Sequence, residues 1–266
     1  LAEAVDKDWN TVLEHLVEVR NRLVSRGGML ANVTVNENCW QQFQPQLQSF
    51  LSDLPDSNMP EETWDAGLSQ TKNEGLTFPA QVNFVGKGFD LYHHGYSLDG
   101  SIFVVLNYLR TTWLWEKVRV QGGAYGSFCL FDHRSGVFTF LSYRDPNLEN
   151  TLWVYDQTGE YLKSLVLSAD ELEKSIIGVI GDLDACQLPD AKGFTSMSRY
   201  LSGDTDEIRQ QMRDQVLSTS SADFRRVGEI LELASRDGKV VVLGSPASIV
   251  STAEARPGWL EVRQIL

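Results

Sequence analysis

Apolar side chains at Trp9, Leu13, Leu16, Val19 and Leu23 recur at helical spacing, which predicts an amphipathic helix over residues 6–26, stopped by Gly27-Gly28. Residues 29–35 have the mixed polarity of a short strand. A second helix is expected over 36–54, interrupted or begun anew near Pro45, with Phe43, Leu47, Phe50 and Leu51 on its apolar side. The polar stretch from Pro55 onward reads as a linker over 57–77. Beyond it the period changes. Residues 81–85 and 91–96 read as strands around a turn at Gly86-Lys87-Gly88. Asp99 is placed to cap a strongly apolar helix running to about Val118. Residues 125–131 and 137–143 predict a hairpin turned through 132–136. Asp145-Pro146-Asn147 opens another helix, and Ser168 with Glu171 forms a capping box before 172–180. Helices over 191–201, 204–217 and 221–235, a strand over 239–243 and an edge at 260–262 complete the pattern. Hairpins followed by a run of helices imply an α+β fold, with an antiparallel sheet covered by helices on one face.

The chain has 266 residues, 42% of them hydrophobic, enough for a sizeable core, and no apolar run approaches the roughly 20 residues that cross a bilayer. It opens Leu1-Ala2-Glu3-Ala4-Val5-Asp6, acidic and without Met, which reads as neither signal nor transit peptide and fits a piece of a longer chain. Three scattered cysteines give neither a disulfide framework nor a metal knuckle, so a reducing compartment is expected. A net charge of −13 disfavours nucleic acid and anionic lipid as partners and suits a basic ligand.

Catalytic motifs are scarce. Glu14-His15-Leu16-Val17-Glu18-Val19 falls one residue short of H-x-x-E-H, because Val19 stands where the second histidine should be. His93-His94 on a strand would point to opposite faces. Gly126-Ser127-Phe128-Cys129 lacks the G-x-S-x-G elbow, Gly86-Lys87-Gly88 lacks a third glycine, and Asp182, Asp184 and Asp190 fit no calcium loop. No metal site is expected within the chain.

One stretch stands apart: Trp113-Leu114-Trp115, then Val118-Arg119-Val120-Gln121-Gly122-Gly123-Ala124-Tyr125-Gly126. It places a planar cation and a phenolic donor six residues apart across paired glycines. On spacing alone this is also an ordinary helix end: Arg119 favoured by the helix dipole, Gly122 a left-handed cap, Tyr125 a strand aromatic.

The stretch resembles the Arg…Tyr signature in the C-terminal half of pitrilysin or insulinase-type metallopeptidases. Further blocks are similar in order to the presequence proteases of mitochondria and chloroplasts: Phe84-Val85-Gly86-Lys87, Tyr96 to Ser101, Leu141 to Asn147 and Gln187 to Gly193. The resemblance implies that residues 1–56 close the third of four homologous α+β domains and that 78–266 form the fourth. It implies a zinc endopeptidase of the mitochondrial matrix or chloroplast stroma that degrades cleaved targeting peptides in a closed chamber. Zinc would be bound by the missing N-terminal half, this chain's partner. Arg119 and Tyr125 would bind substrate and stabilise the oxyanion, with Gly122 and Gly123 letting the backbone approach; the substrates would be short basic peptides. The rival reading is an inert homologue that binds a peptide or partner. A self-sufficient hydrolase using Cys129 is a third.

Overall fold

A computed structural model of the chain describes residues 2–56 and 73–265. These divide into two compact units, one of 2–56 with 186–204 and one of 73–185 with 205–265.

The first unit is helical. α1 (Ala2–Lys7) and α2 (Trp9–Leu23) share the expected amphipathic segment, with the Asp8 side chain capping α2 by accepting from the Thr11 amide. α3 (Glu37–Asp53) is capped by Asn36 and runs unbroken through Pro45. The expected interruption is absent because Pro45 is exposed, where water can take up the carbonyl that proline leaves without a donor. The strand expected over 29–35 is also absent; among the described residues of this unit there is no second strand to pair with it. Arg26 ties the two ends together, its amide donating to Pro55 O at 2.9 Å and its guanidinium to Asp56 at 2.6 Å. α7 (Pro189–Ser202), ended by Gly203 at φ +67°, belongs to this unit.

The second unit is built on a six-stranded sheet of order β3-β4-β2-β5-β1-β6, made of β1 (Asn73–Thr77), β2 (Phe84–Asp90), β3 (Gly126–Phe131), β4 (Val137–Tyr143), β5 (Lys239–Gly244) and β6 (Leu260–Gln264). The β3–β4 hairpin forms as expected, and β2 pairs antiparallel with both β4 and β5. The fold is α+β, but the sheet is mixed rather than antiparallel, since β1 lies parallel to β5 and to β6. α10 (Pro246–Ala255) returns the chain from the end of β5 to the start of β6, the crossover that lets those two strands run parallel on either side of β1. Of the interval expected as linker, 57–72 lie outside the described residues and 73–77 form β1, so the sheet begins before residue 78.

The strands expected at 81–85 and 91–96 are one strand and a turn. β2 runs straight through Gly86-Lys87-Gly88, with Gly86 paired to Leu141 and Gly88 to Thr139. Lys87 points the other way, into the core, and pairs with Asp156 on α5 (Glu149–Ser164). One face of the sheet is buried through Val85, Phe89, Cys129, Phe138, Phe140, Val240 and Val242. The other face is open and largely apolar, carrying Phe128, Leu130, Tyr143 and Val241.

Helices cover the buried face. α4 (Ser101–Thr111) is almost entirely internal, with the Asp99 side chain accepting from the Ser101 amide at 2.9 Å. α6 (Ala169–Leu183) begins with the capping box read from Ser168 and Glu171. α8 (Asp206–Leu217) and α9 (Ser221–Ala234) follow. α5 and α9 cross at two glycines: a Cβ on Gly159 would lie 2.8 Å from Gly228 O, and one on Gly228 would lie 2.8 Å from Gly159 O.

Candidate functional site

After α4 the chain does not continue as a simple helix. Trp113 turns inward, stacks on Tyr161 with ring centroids 4.2 Å apart and donates its indole N–H to Thr158 at 3.0 Å. Leu114 is fully buried. From Trp115 to Gln121 the backbone is a π-helix, a rare winding that recurs at functional sites. Its end follows from that winding. The Gly123 amide donates to Arg119 O at 2.9 Å and the Ala124 amide to Val118 O at 3.1 Å. Each bond reaches one residue further back than in an ordinary Schellman ending. The left-handed residue is consequently Gly123, at φ +79°, and not Gly122, which stays right-handed at φ −81°. Gly122 is needed for space instead: a Cβ there would stand 2.5 Å from Val118 O.

The π turn sets Arg119 directly over Trp115, its guanidinium carbon 4.0 Å from the ring centroid. A guanidinium stacked this way keeps its N–H edge free to donate in the ring plane. Tyr125 follows at the start of β3, 66% exposed, its amide donating to Tyr143 O at 3.1 Å and its ring packed edgewise on Tyr143 at 5.7 Å. Arg119 and Tyr125 line one open groove of about 920 Å³ on the second unit, together with Trp115, Arg110, Phe128 and Tyr143. Gly122 and Gly123 join the two side chains without lining the groove. Sequence reasoning named the pair but missed its aromatic walls and Arg110. Arg110 is anchored by its Nε donating to Cys129 O at 2.7 Å. The lining holds two arginines and no carboxylate, so the acidity of the whole chain is not repeated here.

Other candidates disperse. His15 and Glu18 sit on α2 without a second histidine, and among the described residues no three His, Cys, Asp or Glu side chains are grouped to hold a metal. His93 and His94 lie in the turn after β2, not on a strand, with rings 5.3 Å apart; His94 faces Asp237 at 3.5 Å. Asp184 is paired through both oxygens with Arg213, at 2.6 and 2.7 Å. Cys129 is fully buried, and that burial pushes its thiol up to about 12, so it is no nucleophile near neutral pH. Cys39 and Cys186 are exposed. A maleimide reagent should therefore modify two thiols of the native chain and the third only after denaturation, which thiol titration measures directly. Among the described residues no helix is long and apolar enough to cross a membrane.

This architecture is that of a pitrilysin-type peptidase domain. Pitrilysin itself superposes with a TM-score of 0.60 at 15% identity, over 95% of this chain and 28% of that one. A peptidase M16 inactive domain from Pseudomonas fluorescens gives 0.52 at 14% identity, over 79% of this chain and 52% of that one. The sequence is more specific. Residues 73–246 match the PreP C-terminal domain model, and the chain belongs to the presequence protease family. It is 42% identical to presequence protease 1, chloroplastic/mitochondrial, of Arabidopsis thaliana, over the whole of this chain and 25% of that protein. It is 27% identical to the mitochondrial presequence protease of Saccharomyces cerevisiae, over 96% of this chain and 26% of that protein. The chain thus spans about a quarter of the length of these relatives.

Proposed function

We propose that this chain is the C-terminal, non-zinc part of a zinc metalloendopeptidase. Its substrates would be cleaved organellar targeting peptides and other short unstructured peptides, degraded in a closed chamber in the mitochondrial matrix or chloroplast stroma. The observation that carries the reading is Arg119 and Tyr125 lining one exposed groove, the cation stacked on Trp115. Residues 1–56 are assigned to the close of a third domain and 78–266 to a fourth, with the strand at 73–77 joining the sheet of the latter and residues 186–204 grouping with the helical unit.

In this reading the two side chains donate to the scissile carbonyl oxygen and gain strength as charge develops on it. The described residues of this chain do not fit a zinc site, so the metal and its chemistry are assigned to the N-terminal part. The open sheet face beside the groove, with Phe128 and Leu130, offers apolar surface to an unfolded peptide. Net negative charge would speed the approach of basic peptides, while the groove itself favours the carbonyl and any acidic neighbour.

The test separates this chain from the whole enzyme. The isolated 266-residue chain should hold no stoichiometric zinc by elemental analysis and cleave no peptide, whereas the full-length protein should show chelator-sensitive peptidase activity. Tightly bound zinc or chelator-sensitive cleavage in the isolated chain would overturn the division of roles. A full-length protein that binds peptides without cutting them would establish the inert reading.

A further inference from the structure

The segment Arg144-Asp145-Pro146-Asn147 has no part in the reading above, yet, with Tyr143 before it, it grips both ends of the stretch that separates Arg119 from Tyr125. At one end the Asn147 side-chain amide donates to Gly122 O at 2.5 Å. At the other the Tyr125 amide donates to Tyr143 O at 3.1 Å. Between these grips the chain turns at Arg144, φ +48°, the one non-glycine residue with positive φ among the described residues. A left-handed backbone is costly for a residue with a Cβ and persists where surrounding contacts enforce it.

Those contacts are present. Asp145 is fully buried; its Oδ1 accepts from the Asn147 amide at 2.9 Å and its Oδ2 from the Thr151 hydroxyl at 2.6 Å. Its backbone is bridged to Asn83 by two bonds of 2.8 Å. The Asn83 side-chain oxygen accepts in turn from the Ser245 amide at 3.1 Å, just beyond β5. A continuous set of hydrogen bonds thus runs from the ends of the central strands β2 and β5 to the Gly122 carbonyl just past the π turn.

We propose that Asn147, oriented by Asp145 and Thr151, is the positioning residue for the Arg119–Tyr125 pair. It fixes the Gly122 peptide and with it the separation of the two donors. The proposal rests on the reading of that pair as carbonyl donors. Asn147 itself does not line the groove. Its effect is to preorganise donors that must be held at hydrogen-bond distance from the developing charge, where a misplacement of about 1 Å costs on the order of a hundredfold.

The experiment is a set of variants in the full-length peptidase, each assayed for kcat, KM and thermal melting. Asn147→Ala should lower kcat by roughly ten- to a hundredfold with KM little changed. Asn147→Asp, equal in size but with an oxygen in place of the donor, should lose at least as much; a merely space-filling residue would tolerate it. In a background carrying Tyr125→Phe and Arg119→Lys, Asn147→Ala should cost roughly threefold or less, because it acts through those groups. Should Asn147→Ala not fold, Thr151→Val removes the hydroxyl that holds Asp145 at unchanged volume and should show the same kcat-selective loss in smaller degree. If Tyr125→Phe and Arg119→Lys leave kcat unchanged, the pair is not a donor pair and the proposal falls with it. If they lower kcat but the Asn147 loss is absent, or multiplies in full onto theirs, the positioning role is overturned while the pair stands.

Discussion

Replacing Tyr125 with Phe in the full-length enzyme lowers kcat by roughly ten- to a thousandfold and leaves KM nearly unchanged, if the phenol donates to the developing oxyanion. The substitution deletes one hydroxyl from a ring that is already exposed, so packing against Tyr143 survives and the melting temperature should hold. Arg119→Lys is the companion. It keeps a charge but loses the planar group that stacks on Trp115 with its N–H edge available, and a loss of the same order is expected. An ordinary helix end followed by an ordinary strand predicts the reverse: normal turnover per folded molecule, with any deficit tracking lost stability. Steady-state kinetics and melts on both variants separate the two, and unchanged kcat in Tyr125→Phe would remove the oxyanion role.

The largest loss of stability is expected at the crossing of α5 and α9. A Cβ on Gly159 would stand 2.7 Å from Glu232 N and 2.8 Å from Gly228 O. Both neighbours are backbone, so neither can rotate away. Gly159→Leu must therefore push the helices apart, opening contacts around Tyr155, Leu162, Phe224 and Leu231, all buried. Overpacking alone costs about 1–3 kcal/mol, and separation of the surfaces adds to it; at roughly 2–4 °C per kcal/mol the melt should fall by on the order of 10 °C or more. Gly181 on α6 is the control, since nothing lies within 4 Å of a Cβ there and Gly181→Ala should be neutral or slightly stabilising. Thermal melts of the two variants check the contrast; a small shift for Gly159→Leu would mean that the helices can slide.

What was legible in the sequence was local. The hairpin of β3 and β4, the capping box at Ser168 and the start of α9 after Ser220 each depend on residues a few positions apart, and each appears in the structure. The sequence misled where distant partners decide. Gly86 and Gly88 read as a turn, yet they extend a strand because β4 and β5 pair along both of its edges. β1 was hidden in a polar interval because its few apolar residues carry no period, and its partners lie far along the chain. At the candidate site, Arg119 and Tyr125 were readable through resemblance. The placement of Trp115 beneath the guanidinium and of Asn147 behind the glycines was not, since one follows from π winding and the other from a chain reversal at Arg144. Asp145-Pro146-Asn147 was seen as part of a block of resemblance and as the opening of α5, which begins two residues later at Glu149.

The placement of β1 has a consequence for how the protein is made. A ribosome delivers β1 long before β5 and β6, the two strands that flank it. Until then it has both edges open, which is the condition under which strands find wrong partners. Its sequence, Asn73-Glu74-Gly75-Leu76-Thr77, is poor in strand formers and carries a charge. Such a segment has little tendency to pair on its own. Once the last strands emerge, they supply the missing affinity: Asn73 accepts from the Val240 amide at 2.9 Å, and Glu74 meets Arg263 at 3.6 Å. The six-stranded sheet can thus be complete only once residues 239–264 have been made.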